Sequence, residues 1–296
     1  MLFIIYCLLI ILVFVLLIFF IKCIYKYNTK KSKKPKKIKK IVLCFFGIIP
    51  RSIKYTYKSI KENIIDKLAN YELDIYVFNL NVGNKKIDNT IINQKDVSII
   101  PYTIYEEYDQ DLLDKQIRIL KSNIKIKFRG DYNELTIQNA LRQMYSEYRV
   151  GLFLERNINK YDIAIVCGPD YYIANPINID DIKNSFENEN FYTTTVNDAQ
   201  GYTNGFYIGK PNVLIKPLKR FNYLHEYLPT DKDYESLLKE SIIDNNIERN
   251  ITKLVFFKIR ANKSIEWQGG KKVNYLNDKD KKIVLDSYDK LLTNGF

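Results

Sequence analysis

Ile163–Cys167 reads I-A-I-V-C, an apolar run without polar alternation, and Gly168 and Pro169 stop it at once. A run of that length bounded by turn residues is how a strand buried on both faces reads. Asp170 follows directly. In an open α/β sheet ligands bind at the carboxyl ends of the strands, and a carboxylate there can hold a hard, oxygen-preferring cation. Pro-Asp is also ordinary turn chemistry, so the position carries both meanings.

The flanking chain predicts a sheet of that kind. Ile41–Phe46 (I-V-L-C-F-F) is a second buried strand, and Gly47–Arg51 (G-I-I-P-R) is the loop leaving its carboxyl end. Ile53, Tyr57, Ile60, Ile64 and Leu68 then recur at helical spacing. Leu73–Leu80 predicts another strand and Val97–Tyr102 a third. This strand–helix–strand opening suggests a Rossmann-like, mostly parallel α/β sheet flanked by helices. Asp109–Ser122 and Glu134–Arg156 read as helices. The second presents Leu141, Met144, Tyr148 and Leu152 on one face and carries Arg142, Gln143 and Arg149, whose guanidiniums can reach an anion at the end of the following strand. Further on, Phe191–Val196 and Phe206–Ile208 read as strands around a polar loop, Asn197–Gly205. A helix follows to about Tyr223, and Asp233–Asn245 is another, with Glu235 suited to the dipole of its first turn. Lys253–Ile259 is a strand followed by Arg260, and the chain is weakly patterned from Lys271.

Met1–Ile21 contains no charged residue, and as a helix it would be about 30 Å long, one hydrocarbon core. It lacks a basic leader and a small-residue cleavage site, so it reads as a transmembrane anchor, not a signal peptide. Three segments result: an anchor at 1–21, a Lys-rich linker at 22–40, and an α/β domain at 41–296. Ten of the 46 basic residues lie in the first 40 positions with no acid among them, which leaves 36 basic against 34 acidic residues in the remainder. The domain is close to neutral, so a nucleic-acid partner is not expected. The lysines beyond the anchor place the domain in the cytosol by the positive-inside rule, and they favour an anionic membrane surface.

Other function classes are excluded by missing motifs. There is no G-x-G-x-x-G, P-loop or G-x-S-x-G sequence. The four Cys make no CxxC pair and the one His is His225, which argues against a zinc site and a Ser-His-Asp triad. Cys44 and Cys167 fall in buried strands and are expected to be free thiols.

Three pieces, taken in order, carry a resemblance: the Gly168-Pro169-Asp170 strand end, T-N-G-F-Y-I-G at Thr203–Gly209, and E-S-L-L-K at Glu235–Lys239. Together they resemble a GT-A-type glycosyltransferase, a Rossmann-like enzyme using a nucleotide-sugar donor. More narrowly, the chain is similar to the glycosyltransferase-like proteins of giant viruses and protists. These often open on a C-F-F-G-x-x-R-type strand and loop, here Cys44–Arg51, and continue with a Q-x-Y-x-x-Y-type helix, here Gln143, Tyr145 and Tyr148. The resemblance covers residues 41–261.

It implies a membrane-anchored transferase moving sugar from a nucleotide-sugar donor to a glycan, protein or lipid acceptor. It also implies Mn²⁺ or Mg²⁺ on Asp170, exposed at its loop, with Gly168 beside it. Arg51, Arg142 and Arg149 would meet the diphosphate, Gly47 and Gln143 would line the donor site, and Asn204 and Gly205 would contact sugar. Asp198 or Glu235 would be the base if the enzyme inverts. Such enzymes have D-x-D, or R-P-D in the narrower group, where this chain has G-P-D, so only the last carboxylate is kept. A catalytically inactive, membrane-tethered binding protein of the same fold is the alternative. Single-pass members of this type mostly work in the secretory lumen, against the charge rule.

Overall fold

The computed structural model describes residues 17–20, 22, 39–123, 132–196, 198, 201–227, 233–267 and 270–296. The chain divides into two units, Met1–Ile38 and Lys39–Phe296. In the first, Leu17, Ile18, Phe19 and Phe20 are helical and exposed. The rest of the anchor at 1–21, and the linker at 22–40 apart from Lys22, Lys39 and Lys40, lie outside the described residues; Lys39 and Lys40 belong to the second unit, where Lys40 opens the first strand of the sheet. Among the described residues no helix is long and apolar enough to cross a membrane.

The second unit is built on the strands β1 (Lys40–Gly47), β2 (Glu72–Asn81), β3 (Lys86–Ile87), β4 (Thr90–Ile91), β5 (Ile104–Asp109), β6 (Ile163–Cys167), β7 (Tyr171–Ile173), β8 (Phe191–Thr193), β9 (Phe206–Gly209), β10 (Arg249–Ile251), β11 (Phe256–Ile259) and β12 (Ile265–Glu266). Seven of them form one sheet in the order β10-β8-β9-β6-β1-β2-β5. β1 runs parallel to β2 and β6, with Ile41 opposite Ile163 and Cys44 opposite Val166, and only β9 runs against its neighbours. The expected mostly parallel α/β sheet is present.

Both faces of β1 are covered, which is why it is apolar throughout. Ile41, Leu43 and Phe45 pack with Ile163, Ile165 and Val77 on one face, while Val42, Cys44 and Phe46 pack with Ala164, Val166 and Tyr76 on the other. Each fully buried side chain of this kind contributes about 1.5–3 kcal/mol. The first face is covered by α1 (Ile53–Ile60), through Ile53 and Ile60. The second is covered by α2 (Gln110–Asn123) and α3 (Glu134–Arg156). Farther along, α4 (Ile179–Glu187) joins the first face, and α5 (Pro211–Leu218) and α6 (Tyr234–Asp244) join the second. Cys44 and Cys167 are free and buried, as expected. Burial pushes both thiols well above their usual range, so they are inert.

Several elements differ from expectation. Residues 97–102 are not a strand: Gln94–Ile99 is a 3-10 turn, and the third parallel strand is β5, with the sequence I-Y-E-E-Y-D. It is an edge strand, so it needs no continuous apolar run. The helix after β1 loosens at Lys61–Ile65 into a π-turn and at Asp66–Leu68 into a 3-10 turn, while Ile64 and Leu68 stay buried. On α3 the buried stripe runs through Leu141, Met144, Glu147, Val150 and Leu154, and Tyr148 and Leu152 are only half-buried. The C-terminal stretch contains α7 (Asp278–Asn294), capped by Asn277. It buries only Val284 and Leu291, too sparse a stripe to read from sequence.

A smaller sheet, β12-β11-β7, sits beside the end of β6. It holds only the last four residues of the expected Lys253–Ile259 strand, β11, antiparallel to β7 with Phe257 opposite Tyr172. Tyr171 stacks on Phe256, centroids 3.9 Å apart. The β3–β4 hairpin turns through Asp88 and Asn89, both at positive φ (49° and 60°), the geometry two-residue hairpins favour.

Candidate functional site at the switch between β1 and β6

From β1 the chain adds β2 and then β5 on one side, crosses through α2 and α3, and returns as β6 on the other side. The order reverses between β1 and β6, which is where ligands bind in sheets of this kind. A cavity of about 740 Å³ opens there, and Gly47 from β1 and Gly168–Asp170 after β6 line it. Gly47 takes φ +100°, a conformation that L side chains rarely adopt. Asn79 at the end of β2 accepts from the Ile49 amide (3.1 Å) and fixes the loop that carries Arg51.

Asp170 was expected exposed on a loop, and instead its side chain is only 15% exposed. Pro169 O accepts from Thr56 Oγ1 (2.6 Å) and Asp170 O from the Ile259 amide (2.8 Å), so α1 and β11 clamp the turn. The carboxylate lies 3.5 Å from Arg260 Nη1 and 3.9 Å from Arg51 Nη1. Arg51 grips Asp88 through Nε and Nη2, both at 2.9 Å. Burial raises the Asp88 carboxyl, but Arg51 and the Ala261 amide outweigh it and hold the group below its usual range. Arg260 grips Glu266 in the same way through Nε (2.7 Å) and Nη2. Its hydrogen bonds hold the Glu266 carboxyl down.

Lys258 also lines the cavity. Its ammonium lies 5.8 Å from the Tyr171 ring centroid, and among the described residues it makes no hydrogen bond or ion pair. Burial lowers its pKa, against the charges of Asp170, Glu235 and Glu266. The cavity wall carries six basic residues (Arg51, Lys85, Lys86, Arg142, Lys258, Arg260) and three acidic ones (Asp88, Asp170, Glu266), with Lys85 and Arg142 paired to Asp111 and Asp114 outside the wall. For a domain near neutrality, that concentrates anion-binding potential in one place.

The donor set around Asp170 does not fit the expected Mn²⁺ or Mg²⁺. One carboxylate sits between two guanidiniums, and the other two carboxylates are each gripped by an arginine. No group of three or more His, Cys, Asp or Glu is placed to hold a metal ion among the described residues. At Gly168, where related motifs carry a second carboxylate or an Arg, an added Cβ would stand 3.1 Å from the Tyr171 ring and 3.3 Å from Asp170 Oδ1.

The remaining expected residues divide by place. Arg142 and Gln143 line the cavity, though Arg142 already makes a two-pronged bond to Asp114 (2.8 and 2.6 Å). Arg149 does not line it: its guanidinium lies over Phe78 and bonds Glu106 at 3.0 Å. Asn204 and Gly205 sit behind Tyr171, whose hydroxyl donates to Asn204 O at 2.6 Å. Asp198 lies away from the cavity and is held by Arg249 (2.7 Å), Thr203 N and Thr203 Oγ1. Glu235 is buried, and burial pushes its carboxyl up to about 7, with Asp233 adding to the rise and its own backbone N–H, Lys258 and Asn204 opposing it. Neither expected base lines the cavity.

Asp88, Lys258, Arg260 and Glu266 were not marked as site residues by the sequence. The Asp88-Asn89 turn signal was present, but the side chain's destination was not.

The Thr203–Gly205 run is fixed by its neighbour Gly201. A Cβ at Gly201 would stand 2.0 Å from the backbone of Glu235. Gly201→Ala is therefore expected to destabilise the domain by about 3 kcal/mol, the upper range for overpacking. Urea unfolding of the variant measures this, and a loss under 1 kcal/mol would show that the loop can give way.

No protein-family model matches the chain, and no curated relative matches it. Solved structures with similar chain traces include mouse xyloside xylosyltransferase 1 in its apo form (8% identity, 72% of this chain and 85% of that one, TM-score 0.41). Core-mannan synthase A from Aspergillus fumigatus in its Mn/GDP form is another (8% identity, 77% and 76%, TM-score 0.42). A third is the glycosyltransferase GlyE of Streptococcus pneumoniae TIGR4 (13% identity, 72% and 45%, TM-score 0.37).

Proposed function

We propose that this chain is a nucleotide-sugar-dependent glycosyltransferase, tethered to a membrane by residues 1–21, that transfers sugar to a hydroxyl of a glycan, protein or lipid. The observation that carries the reading is the position and charge of the cavity. It lies at the β1/β6 switch point, is large enough for a nucleotide, and brings Arg51, Lys258 and Arg260 around one carboxylate, Asp170. In sugar transfer the bond from the anomeric carbon to the diphosphate breaks, and negative charge builds on the leaving diphosphate. Fixed positive groups aimed at that charge are what lowers the barrier. Arg51, Arg260 and Lys258 stand there, and Gly47 leaves the end of β1 free of a side chain for the nucleoside. The motif order around Asp170, Thr203–Gly209 and Glu235 supports the same reading.

One observation favours a second reading, donor binding without transfer: neither Asp198 nor Glu235 lines the cavity. Both readings are tested with the full-length chain, expected to need detergent for extraction. UDP- and GDP-sugars are screened for thermal stabilisation and for release of UDP or GDP. A ligand at 100 times its Kd adds about 2.7 kcal/mol to stability. Stabilisation with release supports transfer, and stabilisation without release supports the binding protein. Neither effect with any nucleotide sugar sinks both.

A further inference from the structure

We infer that Arg51, Lys258 and Arg260 neutralise the donor diphosphate in place of a divalent cation, and that Asp170 is the resident counter-ion which the diphosphate displaces. The inference rests on the nucleotide-sugar reading above and adds the means by which the diphosphate is held.

The geometry of the two arginines carries it. Each uses Nε and Nη2 on a dedicated carboxylate, Asp88 for Arg51 and Glu266 for Arg260. That fixes both guanidiniums and leaves both Nη1 groups pointing at one oxygen, Oδ2 of Asp170, at 3.9 and 3.5 Å. Charge-assisted N–H···O bonds are about 2.7–2.9 Å long. Asp170 thus screens two fixed donors without satisfying either one fully. A phosphate, with more acceptor oxygens and more charge, can bond both.

Lys258 points the same way. It comes from β11, the strand that clamps the Asp170 turn, and holds a half-buried ammonium with no bonded partner among the described residues. A charge kept from water without a partner is costly, and an arriving anion removes that cost. A cation on Asp170 would meet the reverse situation. It would enter between two guanidiniums and near an ammonium, with no second free carboxylate to help hold it. Position 168 supplies none, and a Cβ there would press on the Tyr171 ring and the Asp170 carboxylate at 3.1–3.3 Å.

The two mechanisms predict opposite signs for Asp170→Asn. If Asp170 carries a metal, the variant loses nucleotide affinity. If Asp170 is a displaceable counter-ion, its neutralisation removes repulsion from the diphosphate and frees both arginines. The test is calorimetric titration of UDP and GDP into the full-length chain, first in EDTA and then in Mn²⁺. The expected result is binding in EDTA within about twofold of that in Mn²⁺, about three- to tenfold tighter in Asp170→Asn, and at least about tenfold weaker in Lys258→Met and Arg260→Gln. Circular dichroism confirms the fold of each variant, and Asp170→Asn carries the test if the others fail to fold. Binding that needs Mn²⁺ in the wild type, and loses that dependence in Asp170→Asn, overturns the inference and leaves the nucleotide-sugar reading standing. No binding of either nucleotide under any condition overturns both.

Discussion

Replacing Arg220 with Met is expected to cost the domain about 3–5 kcal/mol of stability, because it leaves a buried carboxylate without its cation. Arg220 and Glu147 are both 0% exposed and meet at 2.6 Å. Glu147 sits on the buried stripe of α3, facing the core. Its remaining bonds come from Gln143 Nε2 (2.9 Å) and the Tyr207 hydroxyl (3.2 Å). Arg220 also donates to Pro217 O (2.9 Å) and Asn204 Oδ1 (3.0 Å). Burial works against the charge on Arg220, and Glu147 and Tyr207 outweigh it. The pair therefore ties α3, the segment after α5 and the Asn204–Gly205 turn into one network. Gln143 carries the network to the cavity wall.

Urea unfolding of Arg220→Met, Glu147→Leu and the double variant measures the effect. The double variant should recover much of the loss, since two apolar side chains replace an ion pair at little net cost. A single variant losing less than about 1 kcal/mol would mean that water already reaches the pair.

What was legible in the sequence follows from burial. β1 and β6 stand out because both their faces are covered, so composition alone marks them. β5 and α7 do not, because one is a polar edge and the other buries two side chains. Asp170 was legible because it follows β6 after only Gly168 and Pro169, and Arg51 because it ends the short loop that leaves the carboxyl end of β1. Lys258 and Arg260 were not, because they reach the site only through the pairing of β11 with β7, residues far apart in sequence. Arg142 and Arg149 were read as free cations on a helix near the site. Each has instead found a carboxylate on a neighbouring element, Asp114 and Glu106. Glu147 carries no mark in the sequence, because the partner that lets it be buried lies 73 residues away.

Glu235 shows the same limit, and its titration gives the second large effect. At a helix N-terminus a carboxylate is expected to be stabilised, but here burial dominates and lifts the carboxyl from 4.5 to about 7. A folded-state pKa above the unfolded one means that the native protein holds the proton more tightly. The stabilisation is complete below about pH 4.5 and is lost as pH rises through about 7. Over that window the loss is roughly 3 kcal/mol. Glu235→Gln keeps the size of the side chain and has no proton to lose. It should match the wild type near pH 4 and exceed it by about 3 kcal/mol at pH 8. Urea midpoints between pH 4 and pH 8 supply the comparison. A wild-type slope that survives unchanged in the variant assigns the titration to a group other than Glu235. Below about pH 6, where the wild-type carboxyl is protonated, UDP and GDP should bind the variant as they bind the wild type. A pH-dependent rise in sugar transfer through about pH 7, absent in the variant, would instead make the buried carboxyl the base for the acceptor hydroxyl.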